Sequence, residues 1–407
     1  MLLRDLRADF RWLAGGFLLA LSSGFGQTYF IAIFAGYLKS DLLLSDGQFG
    51  GLYTAGTLSS AALLIWAGKF ADEFPIRWLG SGILCGLALA ALGMASVSSA
   101  LMLGLVFFSL RFFGQGMATH VAFTAMGRWF NRKRGRAVAI AALGLSAAEA
   151  ALPLIAVALI ALVGWRWTWV TIAATLAFVS APLLVALLTR ERTPADEPPA
   201  HADISVATPT GHDWTRSEVL RSGLFYALMP GLLAPPFIMT GIFFNQITII
   251  SLKGWDLTWF AASFPVLAGV NMVSGLVAGW IVDRVGARRL LPSFLIPLGL
   301  GTLLLTFASS PFAIPAFMAL LGLTAGSMST IQGAVWAEIY GTAHLGAIRA
   351  LATSGMVFGS ALSPGLIGVL LDAGVPLEAQ LLVMGLYCFA ASAWMAVLMP
   401  RLHRLTT

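Results

Sequence analysis

Stretches of about 20 predominantly apolar residues recur twelve times along the chain, separated by mostly short polar connections. They cover 12–38, 47–71, 78–97, 101–127, 137–163 and 166–189, then 222–252, 257–282, 289–309, 312–340, 345–371 and 376–399. Each run is long enough to cross a bilayer as a helix and too long for a barrel strand. Backbone groups in hydrocarbon have no water to bond, so a helix, which pairs its own amides and carbonyls, is the expected form of every run. The pattern predicts an all-α integral membrane protein of 12 transmembrane helices. One connection is long, 190–221, with Pro194, Pro198, Pro199 and Pro209 among Asp, Glu, Ser, Thr and His. It reads as a solvated linker between two six-helix bundles, residues 1–189 and 222–407.

Composition agrees with the pattern. Of 407 residues 58% are hydrophobic and 10% charged, against about 25% charged in soluble domains. A set of soluble domains is excluded. The net charge of +6 raises nucleic-acid binding as a reading, and the placement of the charges removes it. Twenty of the 24 Lys and Arg fall in connections on one side of the membrane, while the other side holds only Lys39, Arg166 and Lys253. By the positive-inside bias, both termini and the linker are cytoplasmic. Cys85 and Cys388 each sit in an apolar run without metal-ligand neighbours and are expected to be lone buried thiols.

The two halves repeat. Adding 211 to Gly68, Asp72, Arg77, Gly135, Gly144 and Pro153 gives Gly279, Asp283, Arg288, Gly346, Gly355 and Pro364. An even number of spans separates each pair, so the bundles share one orientation, a parallel repeat.

The repeated loop carries a resemblance. Gly279-Trp-Ile-Val-Asp283-Arg284-Val-Gly286-Ala-Arg288-Arg289 is similar to the G-x-x-x-D-R-x-G-R-[KR] loop of the major facilitator superfamily, and Gly68-Lys-Phe-Ala-Asp72-Glu-Phe-Pro75-Ile-Arg77 is a degenerate copy. The passage Trp129-Phe130-Asn131-Arg132-Lys133-Arg134-Gly135-Arg136-Ala137 resembles that of monocarboxylate and oxalate/formate antiporter-like members. The resemblance implies alternating access, with spans one, four, seven and ten lining a cavity. Gly68, Asp72, Arg77, Gly279, Asp283, Arg284, Arg288 and Glu338 are the expected residues of a cytoplasmic latch, Glu338 as a partner for Arg288, Arg289 or Arg349. The fifth span lacks the drug-antiporter signature, since Ala148 and Glu149 replace its glycine and proline. The eighth span has Asn271 and Gly275 where animal monocarboxylate carriers place Asp and Arg, and the eleventh has no mid-membrane Lys.

Two ionisable residues remain at mid-membrane depth, Arg111 and Glu149. Arg111 lies about 4–5 Å from the centre of its span at 1.5 Å per residue, and Glu149 lies at the centre of the next. Charges at this depth are costly and point to function. The two are expected to face one another, either as a permanent ion pair or as a working site in which Arg111 meets an anion and Glu149 carries a proton. Gln115 shares the face of Arg111, whereas His120 falls on the far side of the helix. Gln27, Thr28, Tyr29, Tyr53, Asn245, Gln246, Asn271 and Gln332 are the uncharged polar candidates for the cavity or for helix–helix hydrogen bonds.

The reading favoured is a monomeric secondary transporter of a bacterial inner membrane, coupling protons to a small organic anion such as a monocarboxylate. Efflux of an amphipathic drug or metabolite and a non-transporting receptor are the alternatives. Neither metal nor cofactor is expected, and no enzymatic activity.

Overall fold

The computed structural model describes residues 2–130, 133–190, 192, 214–341 and 343–404. Within them the chain is helical throughout, with no strand. Twelve helical segments correspond to the twelve apolar runs: α1 (Asp9–Gly26 continued by Thr28–Leu42), α2 (Asp46–Ala67), α3 (Ile76–Ala95), α4 (Ala100–Trp129), α5 (Gly135–Val163), α6 (Trp165–Leu187), α7 (Gly223–Phe244), α8 (Leu257–Val285), α9 (Ile296–Phe307), α10 (Ala313–Tyr340), α11 (Leu345–Asp372) and α12 (Leu377–Pro400). Among the described residues nine of these are apolar and long enough to cross a membrane, and α1 joins them as a pair bent by 45°. α2 is the most polar, diluted by Gly50, Gly51, Thr54, Gly56, Thr57 and Ser60. α9 has only 12 helical residues, because a 3-10 turn at Arg288–Leu290 and further turns replace its first part.

The chain divides into two compact units, Met1–Asp203 and Ile204–Thr407. The same three helix pairings build both. α1 packs on α5, α2 on α4 and α3 on α6 in the first; α7 on α11, α8 on α10 and α9 on α12 in the second. Small residues set the closest approaches, as packing in lipid requires. A Cβ on Gly144 of α5 would lie 2.4 Å from the Phe17 carbonyl of α1, and one on Gly326 of α10 would lie 2.2 Å from the Asn271 carbonyl of α8. Hydroxyls stitch α8 to α10 as well: Ser274 donates to the Gly322 carbonyl at 2.9 Å and Thr330 to that of Gly275 at 3.1 Å. α5 and α11 run unbroken through Pro153 and Pro364.

The three basic residues that depart from the charge bias all have local partners. Lys39 pairs with Asp46 at 2.6 Å. Arg166 pairs with Asp41 at 3.0 Å and donates to the Ala95 carbonyl at the end of α3 at 2.9 Å. Lys253 donates to the Thr306 carbonyl at the end of α9 at 2.7 Å. Residues 95 and 306 are 211 apart. Each half thus places a cation on the carbonyl end of the equivalent helix, where the helix dipole favours it.

Two expectations need correction. Cys388 is buried but Cys85 is exposed on α3, because the outward face of a membrane helix is as apolar as its core. The linker is not solvated over its whole length. Residues 191 and 193–213 lie outside the described residues, but both flanks are docked, each on its own unit. Arg192 is buried, bonded to Asp9 and to the Trp129 carbonyl, and lies over the Phe130 ring. Trp214 donates its backbone N–H to the Tyr340 carbonyl at 2.9 Å and packs on that ring. A short helix, Arg216–Arg221, follows, opened by a Thr215/Glu218 capping box.

Candidate functional site

In the first half, polar chemistry gathers where α1 breaks. Ser23–Gly26 is a 3-10 turn, and Gln27 is extended, with φ −82° and ψ 152°. The Phe30 N–H, which a continuous helix would give to Gly26, bonds Gln27 instead. The Gly26 carbonyl is freed and takes the Arg111 guanidinium of α4, Nη1 to O 3.1 Å. Nη1 also reaches Thr28 Oγ1 at 3.3 Å, and Thr28 shares a 2.7 Å hydrogen bond with the Tyr53 hydroxyl of α2. The Tyr53 ring lies beneath the guanidinium, 5.4 Å from centroid to Cζ, and is itself held edge-on by Phe107.

Arg111 opens a π-helical segment, Arg111–Ala118, inside α4. Such wide turns inside α-helices recur at functional sites. The wide turn brings Gly114 against Gly26: a Cβ on Gly26 would lie 2.2 Å from the Leu110 carbonyl and 2.7 Å from the Gly114 Cα. Arg111 is 4% exposed, and its Nε is buried without a hydrogen-bond partner.

Glu149 approaches the same break from α5. Its neighbours Ala148 and Leu152 abut Gly24, next to the Tyr29 hydroxyl, and Tyr29 lies in the electrostatic field of Glu149. No ion pair joins Arg111 to Glu149, so of the two arrangements expected the permanent pair is not formed. Equal depth on consecutive helices does not make them neighbours here, because at this level α1 takes the contacts of both α4 and α5. Gln27 forms the break itself and Tyr29 is buried beside it. Gln115 is part-exposed, with its backbone against Gly26. His120 lies elsewhere, bonded to the Gly68 carbonyl at 3.0 Å.

The second-half candidates do not form a comparable cluster. Asn245 ends α7 and is buried, its amide returned to the Gly241 carbonyl at 2.9 Å. Gln246 beside it is fully buried. Asn271 is part-exposed on α8, and Gln332 of α10 donates to the Met356 sulfur of α11.

The expected latch residues differ between halves. In the second, Glu338 accepts from the backbone N–H groups of Ala287 and Arg288 at 2.6 and 3.2 Å and pairs with the Arg288 guanidinium at 3.2 Å. Gly286 makes the turn, at φ +83°, with the Glu338 carboxylate against it. Arg284 lies over the Trp280 ring at 3.7 Å, one turn below Gly279. In the first half, Arg128 bonds the Ala71 carbonyl, Gly68 ends α2, and Arg77 lies over Trp78. Asp72 and Asp283 are exposed, and neither forms an ion pair among the described residues.

Sequence reasoning missed the Gly26 carbonyl and the buried Asp9–Arg192 pair, where Lys133 also reaches Asp9 at 3.5 Å. The run Ser22-Ser23-Gly24-Phe25-Gly26 inside an apolar span was the available sign of the break. Nothing in the sequence distinguished Arg192 from the other linker charges.

Two units built from the same three pairings of apolar helices, the first with a buried cation at a broken helix, define a multi-pass membrane transport scaffold. Residues 16–295 and 268–406 match the profile of the Major Facilitator Superfamily, and the chain belongs to that family. No curated protein matches the sequence. Among solved structures it is similar to a bacterial homolog of the human lysosomal transporter Spinster in two inward-facing states. The unoccupied state gives a TM-score of 0.72 at 15% identity, covering 97% of this chain and 98% of that one. The occupied state gives 0.68 at 15% identity, covering 97% and 96%.

Proposed function

We propose that this protein is a proton-coupled secondary transporter of a small organic anion, such as a monocarboxylate, working by alternating access in a bacterial inner membrane with both termini cytoplasmic. The observation that carries the reading is Arg111. Its Nη1 is bound by neutral oxygens, its Nε has no partner, and no carboxylate pairs with it. A buried cation without a counter-charge is costly, and an incoming carboxylate supplies one. Thr28 and Tyr53 hold the guanidinium in place, with Gln115 and Tyr29 nearby. Glu149, a carboxylate at membrane depth beside the same break, is the proton carrier. Gln27, Asn245, Gln246, Asn271 and Gln332 add neutral polar contacts. The loops around Gly68, Asp72 and Arg77 and around Gly279, Asp283, Arg284 and Arg288, with Glu338, act as the conformational latch.

Purified protein in liposomes under an imposed proton gradient tests this directly. Labelled formate, lactate and pyruvate are offered beside a neutral sugar and a cationic drug. Carboxylate uptake driven by the gradient is expected, lost in Arg111→Gln. Glu149→Gln is expected to lose gradient-driven accumulation and keep exchange. Unchanged carboxylate uptake in both variants overturns the roles of these residues. Binding without flux, or flux of the drug alone, overturns the anion-transport reading.

A further inference from the structure

The second half contains an apolar groove of about 750 Å³ between α7, α11 and α12. Its walls include Leu233 and Phe237 of α7, Leu366 of α11 and Tyr387 of α12. It extends along α7 from Tyr226 to Ile238, about 18 Å at 1.5 Å per residue. One leaflet of the hydrocarbon core is roughly 15 Å thick. The groove therefore has the length of a single acyl chain seated in one leaflet.

Its mouth, at the α11–α12 connection, is polar in a specific way. Gln380, in the first turn of α12, lines the groove and is 5% exposed. Its Nε2 donates to two carbonyls, Val375 at 3.1 Å and Ile367 at 3.5 Å. Both partners are acceptors, so the amide has one workable orientation, and it leaves Oε1 buried without a partner. A buried carbonyl oxygen of this kind calls for a donor. Charge narrows the donor further. Between Arg349 and Arg401 the sequence has no Lys or Arg, and its only charged residues are Asp372, which ends α11, and Glu378, in the first turn of α12. The carbonyl end of α11 adds negative potential there.

We propose that this groove binds one phospholipid with an ammonium headgroup, of the phosphatidylethanolamine type, in the leaflet at the α11–α12 connection. An acyl chain lies along Leu233, Phe237 and Leu366, and the headgroup ammonium donates to Gln380 Oε1. An anionic headgroup is disfavoured by Asp372 and Glu378. The site is distinct from the Arg111 cluster and does not depend on which substrate is carried.

Native mass spectrometry of the whole protein, with dioleoyl-phosphatidylethanolamine and dioleoyl-phosphatidylglycerol added at equal mole fraction, reads the preference. One charge-assisted hydrogen bond is worth about tenfold in occupancy, so the ethanolamine lipid is expected to be retained about tenfold over the glycerol lipid. Gln380→Leu is expected to abolish the preference, and Leu233→Trp, which fills the groove, to abolish retention of both. Where Gln380→Leu does not fold, Glu378→Gln gives a second reading and must lower the preference. Equal retention of the two lipids by the wild type overturns the proposal, as does a preference unchanged by these variants. So does a dimer in detergent that Leu233→Trp converts to monomer, which assigns the groove to a second copy of the chain.

Discussion

Substituting Gly26 with alanine probes the crossing on which the first-half site depends. A Cβ at this position would stand 2.2 Å from the Leu110 carbonyl, 2.7 Å from the Gly114 Cα and 2.9 Å from the Gln115 N. All three are backbone atoms, so no side-chain rotamer relieves the overlap, and α1 and α4 must separate. Overpacking of this kind costs about 1–3 kcal/mol, and the backbone nature of the neighbours places Gly26→Ala in the upper part of that range. For a unit of this size, each kcal/mol lowers the unfolding temperature by roughly 2–4 °C.

The assay is thermal unfolding in detergent, followed by tryptophan fluorescence. Gly51 on α2 is the control, since a Cβ there meets nothing within 4 Å; Gly51→Ala is expected to be neutral or stabilising by up to about 1 kcal/mol. Gly114→Ala attacks the same crossing from α4, with its Cβ 2.6 Å from the Gly26 Cα. The double variant is therefore expected to cost less than the two single losses together. Separation also draws the Gly26 carbonyl away from Arg111, so at the proposed site substrate affinity is expected to fall with stability. A Gly26→Ala protein that unfolds at the wild-type temperature, or losses that add, refutes a shared backbone crossing.

Three further outcomes follow from the ion pairs and caps. Glu338→Ala removes the acceptor of the Ala287 and Arg288 N–H groups and of the Arg288 guanidinium; hydrogen–deuterium exchange over 284–290 is expected to rise, by an opening free energy lower by about 1.5–3 kcal/mol. Asp9→Asn leaves the buried Arg192 without its closest counter-charge and is expected to cost about 3–5 kcal/mol in thermal or denaturant unfolding, whereas Asp9→Leu with Arg192→Met costs less. At the start of α8, Asp256 accepts from Thr258, and that hydrogen bond lowers its pKa from the ordinary 3.8. With the folded value the lower one, the cap is at full strength above the ordinary value and fades as pH falls through the depressed one. Amide exchange at 257–260 is therefore expected to quicken only below about pH 4, and in Asp256→Asn to lose that dependence.

The helices were legible wherever hydrophobicity alone decides them. α3, α5 and α12 occupy long apolar runs with few alternatives in a bilayer, and the 211-residue offset exposed the duplicated architecture. The irregular parts were not legible, because they depend on partners distant in sequence. The bend of α1 is stabilised by a guanidinium 85 residues away that takes the freed Gly26 carbonyl. The wide turn of α4 contains Gly114, which meets that same glycine. Arg111 and Glu149 were identifiable from depth alone, since charges in hydrocarbon are rare. Their separation was not, because depth fixes a height along the membrane normal and leaves the lateral neighbours to packing.

The duplication preserves the scaffold and discards the chemistry. The three helix pairings recur, yet at the offset of 211 the second half replaces Arg111 with Gly322, Tyr53 with Phe264 and Glu149 with Ser360. These replacements are mutually consistent. In the first half Tyr53 of α2 lies 5.4 Å from the cation of α4 that it faces, so side chains fill the space between the two helices at this level, and their backbones meet at Gly56, where a Cβ would lie 2.8 Å from the Phe108 N. In the second half a Cβ on Gly322 would lie 2.8 Å from the Leu267 carbonyl, so α8 and α10 meet backbone to backbone. Phe264 has no hydroxyl to hold a guanidinium and packs on Phe243 instead, at 5.4 Å. Ser360 bonds the Val357 carbonyl of its own helix at 2.9 Å. A cation placed at position 322 would thus face Phe264 in place of a tyrosine and have no room beside the Leu267 carbonyl. The contacts that hold Arg111 in the first half are not repeated at these positions of the second, so the ionic recognition proposed above rests on α1, α2, α4 and α5.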